Sequence, residues 1–245
     1  MKNYENNKIL VTGASSGIGR ALAIKLAEEN NRVVLCARDE EKLNSTRNEM
    51  KNPQSHICIP FDLNDFSQYD ALFNQAVSDG VKINGLVHCA GVATPTPARA
   101  LNSASIMQIM NTNYVSFMCL AGMYSKKKYA EGGSIVGISA INAHYYRRYM
   151  SVYAGSKAAV EASVGALAIE LADKNIRVNC VVPGAIETEM AKQMSQEDLD
   201  AVTDTQLFGM GQPEQVADAI IYLLSDNSSF MTGRTLYVDG GRLGQ

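Results

Sequence analysis

No stretch of this 245-residue chain approaches about 18 consecutive apolar residues, so no membrane-spanning helix is expected. The opening MKNYENNKILVTG is polar and then enters a short apolar run, without the core and cleavage site of a secretory leader. Charge of one sign is not in excess: 22 basic against 25 acidic residues give a formal −3, which offers nothing to nucleic acid or to an anionic membrane. Cysteines are few, odd in number and scattered (Cys36, Cys58, Cys89, Cys119, Cys180), with no C-x-x-C, which excludes a disulfide framework. They read as buried free thiols in a reducing, cytoplasmic setting. His56, His88 and His144 do not cluster, so no metal is expected. No linker, repeat or low-complexity stretch divides the chain, which reads as one domain over 1–245.

What is present alternates. KILVTG, RVVLCA, HICIPFD, INGLVHCAG, GSIVGIS, IRVNCVV and RTLYVDG read as seven strands. Between them, 17–29, 39–50, 65–79, 100–128, 151–174 and 213–225 carry helical periodicity. The strands are continuously apolar, as in a parallel sheet covered on both faces. The β-α-β-α order predicts an α/β, doubly wound sheet of about seven strands. The polar span 187–212 falls between a strand and a helix; it is either a substrate lid or a surface helix pair.

After the first strand comes TGASSGIGR, with Gly13, Gly17 and Gly19. A strand, a glycine-rich turn and a helix beginning near Gly17 aim backbone N–H groups at an anion such as a pyrophosphate. No Lys-Ser/Thr follows, which argues against a P-loop. In SVYAGSKAAV, Tyr153 and Lys157 are four apart and share a helix face among small residues. An isolated pair of this kind is ordinarily a surface pair. A phenol beside a fixed cation could instead exchange protons near neutrality. Ser139 ends an apolar strand fourteen residues before Tyr153 and is expected at the sheet's carboxyl edge, holding a substrate oxygen. No G-x-S-x-G and no suitable histidine make it a nucleophile. Tyr145, Tyr146 and Tyr149 are expected in the pocket wall.

Seven ordered segments make a resemblance visible. TGASSGIG, VHCAG, NTNYVS, GISA, YAGSK, VPGAIET and TGRTLYVDGG resemble, in order, the motifs of the short-chain dehydrogenase/reductase family. The resemblance covers essentially the whole chain and implies a single-domain Rossmann-type fold. It implies an NAD(P)-dependent oxidoreductase interconverting a ketone and a secondary alcohol. The pattern looks most like the 3-oxoacyl-[acyl-carrier-protein] reductase branch; sugar, polyol or hydroxysteroid dehydrogenases, and a non-catalytic dinucleotide sensor, are the alternatives.

The resemblance implies catalytic roles for Ser139, Tyr153, Lys157 and Asn113, the last supporting a water relay; Asn111 is the other asparagine of NTNYVS. Cofactor contacts are implied at Gly13, Ser15, Ser16, Gly17, Ile18, Gly19, Cys89, Ala90 and Gly91. Asp62 and Leu63 would meet adenine, and Pro183, Gly184, Ile186 and Thr188 the nicotinamide. The second strand ends at Ala37 with Arg38, not an acid, following it, which favours NADP(H) over NAD(H) because a guanidinium fork suits a 2′-phosphate. Asp39 reads as a helix cap. Lys126, Lys127, Lys128 and Lys174 are candidates for docking an acidic acyl carrier protein, or simply a solvated helix end. Relatives imply a homotetramer or homodimer, joined by 100–128, 151–174 and the C-terminal strand.

Overall fold

Strand β1 (Lys8–Thr12) is buried along its whole length and stands third in the seven-stranded sheet in the computed structural model, which describes residues 5–192, 197, 199–200 and 204–242. From β1 the chain winds outward through β2 (Arg32–Ala37) and β3 (Ile57–Pro60). It then crosses back to β4 (Gly85–His88), β5 (Gly133–Ile138), β6 (Ile176–Pro183) and β7 (Thr235–Val238). The order is β3-β2-β1-β4-β5-β6-β7 and every neighbouring pair is parallel. All seven expected strands are present in a single domain, and the doubly wound Rossmann-type sheet is as read from the sequence.

Parity sorts the side chains. Ile9 and Val11 face one core layer with α1 (Gly17–Glu28), α2 (Glu40–Glu49) and α8 (Pro213–Leu224), α7 being the single turn Glu189–Lys192. Leu10 faces the other layer with α3 (Tyr69–Ala76), α5 (Ser116–Tyr124) and α6 (Ser151–Leu171). Continuous apolar runs are the necessary consequence of covering both faces. The order reverses between β1 and β4, and their carboxyl ends therefore open a crevice.

Two expected helices differ from the structure. The span 65–79 opens as a 3-10 turn at Phe66–Gln68 before the shorter α3. The span 100–128 is broken: α4 (Ser103–Met110) runs into a π-helical turn at Asn111–Val115 and then into α5. Such a turn inserts one residue into the helix and redirects a side chain. Here it buries Asn113 completely, while Asn111 remains half-buried.

Lys126, Lys127 and Lys128 follow α5, and Lys174 follows α6, beside the starts of β5 and β6. Lys126 pairs with Asp70 at 3.4 Å, Lys128 lies over the Tyr129 ring, and Lys174 donates to the Ser125 carbonyl. These lysines lie on the segments that lead into β5 and β6, at the amino edge of the sheet and away from the crevice. The lid expectation over 187–212 falls partly on 193–196, 198 and 201–203, outside the described residues. Among the described residues, no helix is long and apolar enough to cross a membrane, and no His/Cys/Asp/Glu group could hold a metal ion.

Candidate active site

The carboxyl ends of β1, β4, β5 and β6 surround one cavity of about 260 Å³. Its floor is the glycine turn. Gly13 has φ +67°, and a Cβ there would stand 2.8 Å from the Ala90 nitrogen. A Cβ on Gly19 would collide with the Gly13 carbonyl oxygen, and one on Gly17 (φ +50°) would come within 3.2 Å of the Thr188 methyl. Each glycine is thus required by a backbone conformation or by a neighbour. Ser16 is the N-cap of α1, yet its hydroxyl caps no N–H. The first N–H groups of α1 open beside the cavity, as an anion requires.

Cys89, Ala90 and Gly91 continue the wall from β4. Burial pushes the Cys89 thiol up to about 12, so it is an uncharged filler. At Gly91 the wall meets the catalytic candidates: a Cβ there would lie 3.2 Å from Lys157 Nζ and 3.5 Å from Asn113 Oδ1. Lys157 Nζ donates to the Ile138 carbonyl at 2.9 Å and stands 5.9 Å from the Tyr153 ring centre. Both side chains project from the first turns of α6. Asn113 Oδ1 accepts from the Val92 nitrogen at 2.8 Å; its Nδ2 donates to the Val92 carbonyl and to Ser156 Oγ, each at 2.9 Å. Ser156 in turn donates to the Tyr153 carbonyl at 2.7 Å. The asparagine therefore ties the β4 loop to the turn of α6 that carries the tyrosine.

Burial raises the Tyr153 phenol to about 12 and lowers the Lys157 ammonium to about 8. In the protein alone the desolvation cost outweighs the attraction between the two, and the phenol is not brought to neutrality. Tyr153 is 8% exposed, and among the described residues its hydroxyl has no hydrogen-bond partner. It is a protonated donor facing the cavity.

Ser139 follows the end of β5 and borders the cavity, where the sequence reading expected it, but its hydroxyl is already engaged. Along β5, Ile135 and Gly137 face the α5–α6 layer, whereas Val136 and Ile138 face the α8 layer. Ser139 keeps that parity and enters the layer under α6. Its hydroxyl donates to the Lys157 carbonyl at 3.1 Å and to the Glu161 carboxylate, and no hydrogen bond joins it to Tyr153. Ala140, the next residue, packs against Tyr153 and Met150. Ser139 does border the cavity at the strand's carboxyl end, as expected, but its hydroxyl is engaged beneath α6, because successive residues point to opposite faces.

The nicotinamide-loop candidates Pro183, Gly184, Ile186 and Thr188 line the opposite wall. Here the sequence reading missed a brace. Gln206 is buried; its carboxamide accepts from the Ala185 nitrogen and donates to the carbonyls of Ala185 and Gly209. Ile186 and Gly211 form a short parallel bridge beside it. Such a brace has no local signature, because it joins residues 21 apart across a loop. Asn142, Tyr145 and Arg242 also line the cavity, with Tyr145 donating to the Arg242 carbonyl at 2.6 Å. Tyr146 and Tyr149 are exposed rather than in the wall.

Residues 13–242 match a family model described as Enoyl-(Acyl carrier protein) reductase. The chain belongs to the short-chain dehydrogenase/reductase family. It is 32% identical to the 3-oxoacyl-[acyl-carrier-protein] reductase of Thermotoga maritima over 97% of this chain and 98% of that protein. It is 33% identical to the glucose 1-dehydrogenase of Gluconobacter oxydans, covering 97% and 92%. Among solved structures, a short-chain dehydrogenase/reductase of Brucella melitensis described as a glucose/ribitol dehydrogenase superposes with a TM-score of 0.92 at 28% identity, covering 99% of each chain. As a member of this family the chain is an oxidoreductase that binds a nicotinamide dinucleotide.

The residues present fit that group. The glycine cradle closes if any Cβ is added, and the cavity runs from it to Tyr153 and Lys157. Four cofactor-binding candidates lie outside the cavity wall, as does the catalytic candidate Asn113. Ser15 is half-buried on the turn, and Arg38 is exposed at the tip of β2, where among the described residues it forms no ion pair. Asp62 accepts from the Asn64 backbone and side chain at 2.9 and 3.0 Å. Leu63 is buried in the core beneath it. Asp39 caps α2 through the Lys42 nitrogen, as the sequence suggested.

Proposed function

We propose that this short-chain dehydrogenase/reductase interconverts a ketone and a secondary alcohol with NADP(H), and that 3-oxoacyl thioesters are its leading substrate class. The observation that carries the reading is the Tyr153 hydroxyl, unpartnered and protonated among the described residues, on the same cavity wall as the glycine cradle. A bound nicotinamide dinucleotide supplies or accepts the hydride. Tyr153 gives its proton to the developing alkoxide. Lys157, charged at neutral pH because it titrates near 8, lies close enough to stabilise the phenolate left behind. Asn113 keeps the β4 loop against α6 and supports the proton relay to Lys157. Arg38, exposed at the end of β2, is the group for a 2′-phosphate.

An acyl carrier protein would approach from the cavity side, where Arg148 is exposed on the loop beside the cavity-lining Arg147. Self-association through α5 and α6 is supported by Gly122, Gly155 and Gly165, each with open space where a Cβ would be, and by the exposed Ile169. A homotetramer or homodimer in a cytoplasmic setting completes the reading. The glucose dehydrogenase relative favours a sugar or polyol as the second reading.

The deciding experiment follows nicotinamide absorbance with both dinucleotides over a panel: acetoacetyl-CoA, crotonyl-CoA, ethyl acetoacetate, cyclohexanone, glucose, ribitol and a hydroxysteroid. Ketone reduction with NADPH preferred at least tenfold in kcat/KM is expected. A tenfold preference for NADH removes the Arg38 assignment. Dinucleotide binding with no turnover of any compound converts the reading to a sensor.

A further inference from the structure

We propose that Asn142, rather than a serine, holds the substrate oxygen opposite Tyr153; the inference rests on the ketone–alcohol reading above and assigns the hydrogen-bond donor that reading needs. Proton transfer from one side leaves the other lone pair of a carbonyl oxygen unpaired, and a second donor fixes the oxygen for reaction. Ser139 cannot serve. Ser139 also borders the cavity, but its single proton is directed to the Lys157 carbonyl and the Glu161 carboxylate, in the layer beneath α6. Glu161 is itself held by His144 Nε2 at 3.0 Å, which fixes the acceptor that holds the serine. Ala140 presents only a methyl group to Tyr153.

The next polar side chain along the loop is Asn142. It lines the cavity and is half-buried, and within the described part of the protein its carboxamide makes no hydrogen bond. Its backbone is well fixed: the 3-10 turn Ile141–Ala143 is closed by Ala143 and His144, donating to Ala140 and Ile141 at 2.9 Å each, and by Tyr145, donating to Ile141 at 2.8 Å. Ile141 anchors the turn in the core. A rigid turn that presents an unsatisfied amide to the cavity that the phenol also lines offers two donors for one oxygen atom. The amide Nδ2 donates to the carbonyl oxygen in reduction and holds the alcohol oxygen in oxidation; it exchanges no proton.

The test compares four variants of the full chain with acetoacetyl-CoA, ethyl acetoacetate and cyclohexanone as probes, alongside dinucleotide titration. Asn142→Ala is expected to lower kcat/KM by about 100- to 1000-fold, as loss of one such donor does. Asn142→Asp, of equal size but without the donor, is expected to fall similarly, with dinucleotide Kd within threefold in both. Ser139→Ala is expected to keep kcat/KM within threefold. Ala140→Ser, introduced into Asn142→Ala, is expected to restore at least tenfold by supplying a hydroxyl next to Tyr153. A hundredfold loss in Ser139→Ala, or full activity in both Asn142 variants, overturns the assignment to Asn142 while leaving the reaction class intact. A wild-type protein that reduces none of the three probes overturns the ketone–alcohol reading itself, and the assignment falls with it.

Discussion

The segment after β1 and the segment after β5 both turn from a strand end into the same cavity, but they are constrained in different ways. After β1 the constraint is on the backbone: Gly13 and Gly17 have positive φ, and Gly19 packs against a carbonyl, so residue type follows from conformation alone. After β5 the constraint is on side-chain direction: Ser139 goes under α6, Ala140 goes to Tyr153, and Asn142 reaches the cavity only through the following turn. A backbone cradle tolerates no substitution but leaves little to misread. A side-chain site changes its chemistry completely with one step along the strand.

The largest effect expected lies on the β5–α6 side. Tyr153→Phe should reduce kcat by at least about 1000-fold, within the span for losing a proton donor together with its orientation, and leave dinucleotide Kd within threefold. Near-normal turnover in stopped-flow measurements would move the chemistry elsewhere. On the β1 side, Gly13→Val should abolish dinucleotide binding in calorimetry and lower Tm, because both φ +67° and the Ala90 nitrogen oppose the side chain. A variant that binds normally would show that the cradle is not a backbone device. Between the two sides, Arg38→Ala should raise KM for NADPH about tenfold and leave NADH unchanged, the loss expected for one phosphate contact worth about 1.4 kcal/mol.

A smaller and opposite effect is expected at Lys157. Burial takes its ammonium from 10.5 down to about 8, so between those values the unfolded chain binds more protons and stability rises with pH. Below pH 8 the cost is fully present. Lys157→Met should therefore be inactive yet melt a few degrees higher than wild type at pH 7, with the advantage shrinking as pH rises toward 10.5. Thermal melts across that range check the sign. The smallest effect belongs to Glu161→Gln, which keeps a hydrogen-bond acceptor for Ser139 but removes the charge facing His144. It should cost about 1 kcal/mol of stability and change kcat less than threefold. A large loss of kcat would place the Ser139–Glu161 contact in the catalytic path.

Much of this site was legible because its parts are local. TGASSGIGR follows a strand and precedes a helix, so the cradle could be placed from spacing alone, and Tyr153 and Lys157 share a face because helical geometry requires it. Asn113 was distinguishable from Asn111 only by motif, and its burial came from a π-helical turn that no periodicity signalled. Gln206 and Glu161 were not legible at all. Each acts on a partner about 20 residues away, at 185 and 139 respectively, through a side chain of a common surface type. The phenol's state in the protein alone was not legible for a related reason: spacing brought the lysine near, but burial, a property of the folded whole, raises the phenol to about 12.

The sequence by itself determined the alternation of elements, the parallel sheet, the glycine cradle and the tyrosine–lysine pair, because each is encoded in periods of two to four residues or in a glycine's conformational range. Only the tertiary structure decided which face of β5 carries Ser139, which edge of the sheet carries the lysines, and which polar side chains line the cavity with Tyr153. Those depend on where a strand stops and on what packs above it, and neither is written in any one segment of the chain.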